Sequence, residues 1–123
     1  LAEEEREREE LVRRDKVLLA TFSTVEDIEI VRDQRLGAIE ASIKLARKRT
    51  ETIQADLDKR IQAAAQAERA GKTPNEALLQ DIESLRRQIN NNNDYIKEKL
   101  SEQEATRVEY EANIERFREL KRL

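Results

Sequence analysis

Ala70-Gly71-Lys72-Thr73-Pro74-Asn75-Glu76 contains one of the two glycines and the single proline of a 123-residue chain. Gly71 suits the left-handed position just past a helix C-terminus, where a Cβ is penalised. Thr73 reads as an N-cap, Pro74 as the first helical residue and Glu76 as the carboxylate of a capping box. One helix therefore stops and another starts within a few residues. So short a connection makes the two helices antiparallel neighbours. With the turn at 71–73, the arms cover 24–70 and 74–122, each about 70 Å long at the α-helical rise. Near-equal arms are what a closed hairpin requires.

Hydrophobic spacing on either side of the turn agrees. In the first arm Leu36, Ile39, Ile43, Ala46, Thr50, Ile53, Leu57, Arg60, Ala64 and Ala67 alternate steps of three and four residues, the period of a coiled-coil seam. In the second arm the series is Leu78, Ile82, Leu85, Ile89, Asn92 and Ile96, continuing through Leu100, Gln103, Arg107, Tyr110, Ile114 and Phe117. Successive four-residue steps around Ile96 and Leu100 spell a stutter that locally unwinds a supercoil. Folding about the turn sets Ala67 against Leu78, Leu57 against Ile89, Ala46 against Leu100 and Leu36 against Tyr110, to about one turn. Small residues near the turn (Ala63, Ala64, Ala65, Ala67) face Leu78, Leu79 and Ile82. Polar seam residues Thr50, Asn92, Gln103 and Arg107 weaken the seam but fix its register. The Asn90–Asn93 run is poor helix material. Ile89 and Ile96 hold its phase, so it reads as a tolerated weak segment, with a water-bridged stretch or a partner site as the open alternatives.

Upstream, Ser23 followed by Glu26 reads as a second capping box, with Phe22 before it and Asp27 in the negative first turn. Residues 1–22 thus read as a charged N-terminal helical segment and 23–123 as the hairpin. No Gly or Pro enforces the stop, so a helix that runs straight through with a kink is the alternative. The segment carries Leu11, Val12, Val17, Leu18, Leu19 and Phe22. In a closed hairpin it must fold back, pair with another chain or connect to something upstream. A two-helix hairpin buries one stripe only. Ile28, Ile30, Val31, Leu45, Ile61 and Leu79 fall at least partly outside it. Of these Ile28, Val31, Ile61 and Leu79, with Leu18 and Phe22, are the candidate self-association residues of an expected homo-oligomer.

Composition supports an all-α antiparallel coiled-coil hairpin with an additional N-terminal helical segment. Charged residues make up 41% of the chain, against about 25% in ordinary domains. Aromatic residues make up only 3%, too few for a compact globule. The net charge of −3 carries no basic excess for a nucleic acid. The basic run Lys44, Arg47, Lys48, Arg49 reads as a solvated face. With no Cys and no His, thiolate chemistry and the usual zinc sites are excluded, and no metal or cofactor is expected. No catalytic residues are expected, since no Gly-rich phosphate loop or nucleophile–base pair is present. No apolar run approaches the roughly 20 residues of a membrane span, and the acidic stretch 3–10 argues against an anionic membrane surface. Leu1 and the absence of Met are expected of a processed or partial chain, so targeting signals are not legible here.

Arg14-Asp15-Lys16-Val17-Leu18-Leu19-Ala20-Thr21-Phe22-Ser23, then Glu26, Ile28, Arg32-Asp33-Gln34-Arg35-Leu36 and Ile39, form a recurring pattern, joined near the end by Glu104-Ala105-Thr106-Arg107 and Ile114-Glu115-Arg116-Phe117-Arg118-Glu119-Leu120-Lys121. It resembles the C-terminal coiled-coil region of Gram-negative envelope proteins that carry a small N-terminal domain of unknown function. The resemblance implies a periplasmic or secreted location, with another envelope protein as a candidate partner, and assigns no activity or functional residue. The expected function is a non-enzymatic structural or assembly module, a spacer or filament-forming subunit. The alternative is an adaptor or chaperone-like hairpin that binds a protein through its tip or its Asn-rich stretch.

Overall fold

A computed structural model of the protein describes residues 1–122. The chain is all-α, as expected. It has three helices, α1 (Ala2–Thr21), α2 (Val25–Arg69) and α3 (Glu76–Lys121), and no strand among the described residues.

α1 has no side-chain cap at its start, but Glu3, Glu4 and Glu5 occupy its first turn, where the helix dipole favours negative charge. It ends where Phe22 turns extended, at φ −121° and ψ 138°. The Phe22 N–H still donates to the Leu18 carbonyl at 3.1 Å. The box that opens α2 lies one residue later than Ser23 and Glu26. The Asp27 N–H donates to Thr24 Oγ1 at 3.2 Å, and Asp27 Oδ2 accepts from the Ser23 and Thr24 N–H groups at 3.3 and 3.2 Å. One carboxylate thereby satisfies two backbone donors, which pairs Thr24 with Asp27.

At the other end of α2, Gly71 has φ +72°. Its N–H donates to the Glu68 carbonyl and that of Lys72 to the Ala67 carbonyl, both at 2.9 Å. This pair of bonds is a Schellman motif. The start of α3 differs from expectation. Asn75, not Thr73, caps it, accepting the Ala77 N–H on Oδ1 at 2.9 Å, and the helix begins at Glu76, two residues beyond Pro74. Asn ranks above Thr as an N-cap, and here it stands nearer the helix. The connection therefore runs over 70–75 rather than 71–73.

The residues gather into two compact units, Glu40–Ser101 and a second made of Leu1–Ile39 with the stretch from Glu102 to the end of α3. In the second unit α1 folds back on the hairpin helices. Val25, Ile28, Tyr110, Ile114 and Phe117 form its core, with Leu18, Phe22 and Val31 packed against them. Ile28 and Phe117 are fully buried, each contributing about 1.5–3 kcal/mol by removal from water. The Glu40–Ser101 unit is a helical hairpin around Leu57, Ala64 and Ile82, flanked by Leu78, Leu85 and Ile89. Its α2 and α3 segments are tied by the Arg60–Asp81 ion pair at 2.6 Å.

The α2 series from Leu36 to Ala67 is buried or half-buried at every position. In α3 the expected series holds through Ile96 and again at Gln103, Tyr110, Ile114 and Phe117. It departs at Leu100 and Arg107, which are exposed while Lys99 and Thr106 are half-buried, so no stutter lies at Leu100. Lys99 takes the inward position and lays its ammonium 5.5 Å from the Tyr95 ring centroid, its apolar stem serving in place of a hydrophobic residue. Consecutive four-residue steps occur instead at Thr106, Tyr110 and Ile114, and at Ile28, Arg32 and Leu36. Both lie in the unit where a third helix packs and a wider face is covered.

Candidate docking groove and self-association surface

Asn92 occupies the middle of the Glu40–Ser101 unit. Its amide Nδ2 donates to the Ala46 carbonyl at 2.6 Å and to Thr50 Oγ1 at 2.5 Å. Thr50 Oγ1 in turn donates to the Ala46 carbonyl at 3.1 Å. Ala46 thus meets Asn92 and not Leu100, about two turns from the expected pairing. Counting outward from the turn gave Leu100, whereas the hydrogen bonds of Asn92 set the register. The Asn run is therefore not merely tolerated, because one of its members closes a polar node across the two helices.

Beside this node lies an open groove of about 420 Å³ lined by Ser42, Leu45, Arg49, Ile53, Asn91 and Tyr95, among others. Leu45 is 63% exposed and Tyr95 40% exposed. Arg49 is the only charged residue of the lining, in a chain where charges are otherwise dense. The groove can take an apolar side chain between Leu45 and Tyr95 and an acidic group at Arg49.

The candidate self-association residues divide in two. Ile28 is fully buried, and Leu18, Phe22 and Val31 pack against the same core. These four are not an outer surface, because they form or pack against the core on which α1 folds back. Ile61 and Leu79 remain 37% and 46% exposed. They flank the rung where Arg60 Nε holds Asp56 Oδ1 at 3.1 Å and Nη1 holds Asp81. Hydrogen bonding to Asp56, together with the charges of Asp56 and Asp81, raises the Arg60 pKa against a smaller effect of burial.

The sequence reading missed the bidentate pair of Arg116 with Asp15, at 2.9 Å (Nε–Oδ1) and 2.8 Å (Nη2–Oδ2). Arg116 Nη1 also donates to Glu119 at 2.9 Å. The hydrogen bond from Arg116 holds the Asp15 carboxyl below its usual range, against the opposing effect of burial. The same bonds raise the Arg116 pKa. A signal was present: Leu11, Asp15, Leu18 and Phe22 follow a four-three-four spacing, and a carboxylate on such a stripe calls for a cation opposite.

Among the described residues, no group of three or more acidic side chains is placed to hold a metal ion. No described helix is long and apolar enough to cross a membrane. No family model, curated protein or solved structure matches the chain.

Proposed function

We propose that the chain is a non-catalytic helical hairpin that works by self-association, as a spacer or filament-forming subunit of a cell envelope. The supporting observation is the exposure of Ile61 and Leu79 beside the Leu57, Ala64 and Ile82 core. Each of these side chains gains free energy when a second apolar surface takes it out of water. The alternating three- and four-residue spacing of covered positions in α2 from Leu36 onward and in α3 up to Thr106 supports coiled-coil packing. The envelope location and a periplasmic or secreted setting rest on the resemblance of residues 14–39 and 104–121 alone.

Sedimentation velocity of the wild type, Ile61→Glu and Leu79→Glu tests this reading. Both variants should dissociate the oligomer without loss of helix content. Unchanged oligomer size in both would contradict it.

A second reading, an adaptor hairpin that engages another protein at its Asn-rich stretch, draws on the groove beside Asn91 and Asn92. It expects a small species of constant mass at every concentration.

A further inference from the structure

We propose that the N-terminal half of α1 is a docking arm that seats in the Leu45–Tyr95 groove of a second copy of this chain. The inference rests on the self-association reading and adds to it a second contact, separate from the Ile61 and Leu79 surface.

The arm is helical from Ala2, yet every residue from Leu1 to Arg14 is exposed. A helical stretch of this length without a packed face is marginal in water, so a partner surface would stabilise it. Leu11 and Val12 are both about half exposed, at 47% and 48%. Glu5, Arg8, Glu9 and Val12 share one side of the helix.

The groove has the complementary features. Leu45 and Tyr95 offer apolar surface, and Arg49 is the only charge in the lining. The wall from 42 to 53 carries Lys44, Arg47, Lys48 and Arg49 against Glu51 alone, whereas the fourteen-residue arm carries six Glu against four Arg. Opposite charge therefore favours this arm over the other exposed apolar surfaces of the chain, and it steers the encounter. The lengths also match. Fourteen residues of arm extend about 20 Å, and the α2 wall from Ser42 to Ile53 extends about 17 Å.

Donor and acceptor surfaces differ, so the contact is head-to-tail. Such contacts close into rings or grow into open filaments.

The test compares Leu11→Glu, Leu45→Glu and Ile61→Glu in the full chain by sedimentation velocity, with helix content followed by circular dichroism. All three positions are exposed, so the fold should persist. Leu11→Glu and Leu45→Glu should each raise the dissociation constant at least tenfold. An equimolar mixture of these two should regain association, because the intact arm of one meets the intact groove of the other. Raised salt should weaken the wild-type contact. If the wild type associates and only Ile61→Glu disrupts it, the arm–groove contact is refuted while self-association stands. If Leu45→Glu disrupts association and Leu11→Glu does not, the groove holds a different element and the arm is refuted. A wild type that stays monomeric at every concentration overturns both the contact and the self-association reading.

Discussion

Replacing Asn92 with alanine removes two hydrogen bonds from the node between α2 and α3, those to the Ala46 carbonyl and to Thr50 Oγ1. At about 0.5–1.5 kcal/mol each, they contribute about 1–3 kcal/mol. Alanine is also the better helix former, by roughly half a kcal/mol, so the raw change understates the loss. Asn93→Ala, at an exposed neighbouring position, has the same propensity gain and supplies the reference. The difference between the two variants should be about 1–3 kcal/mol. Asn92→Leu should behave differently. The Thr50 hydroxyl keeps its bond to the Ala46 carbonyl, so no donor is left unpaired, and an apolar side chain enters the seam. Its stability should equal or exceed that of the wild type, with register specification lost. Urea unfolding of all three variants at one protein concentration, followed by circular dichroism, measures these differences. If Asn92→Leu lost as much stability as Asn92→Ala, or if Asn92→Ala matched Asn93→Ala, the node would not hold the helices in register.

Gly37→Ala should stabilise the chain by about 0.5–1 kcal/mol, since the glycine lies within α2 and a new Cβ meets nothing within 4 Å. Gly71→Ala should instead cost about 1–2 kcal/mol, because its φ of +72° is left-handed; thermal unfolding of the two variants measures both. Phe117→Ala empties a fully buried site and should cost about 3–5 kcal/mol, with early protease cleavage near Phe22 as α1 loosens. The Asp15 pKa is lowered in the folded chain, so its contribution is present above the unfolded carboxyl value, near about pH 4, and is lost as pH falls through the folded value. The stability difference between wild type and Asp15→Asn, measured as a function of pH, should therefore be constant near neutrality and shrink below about pH 4.

What could be read from the sequence followed from local chemistry. Gly71 needs a left-handed backbone, and the helix stop appeared there. The spacing from Leu36 to Ala67 needs one face covered, and all ten positions are covered. The parts that were not legible depended on competition between neighbours. Thr73 and Asn75 both cap well, and only the folded chain shows that Asn75 does so. Leu100 is more apolar than Lys99, but the register fixed by Asn92 turns Lys99 inward. The fate of Ile28, Phe22, Leu18 and Val31 depended on whether α1 folds back. Asp15 and Arg116, 101 residues apart, meet only through tertiary contact. The groove was legible only in part: the Asn run and the off-seam Leu45 drew notice, whereas no periodic signature links Leu45 to Tyr95.

Self-association is the central claim, and size-exclusion chromatography with light scattering over a wide concentration series tests it most directly. A molar mass that starts at or above a dimer and grows with concentration is the expected result. A mass fixed at the monomer's 14.4 kDa throughout would contradict it.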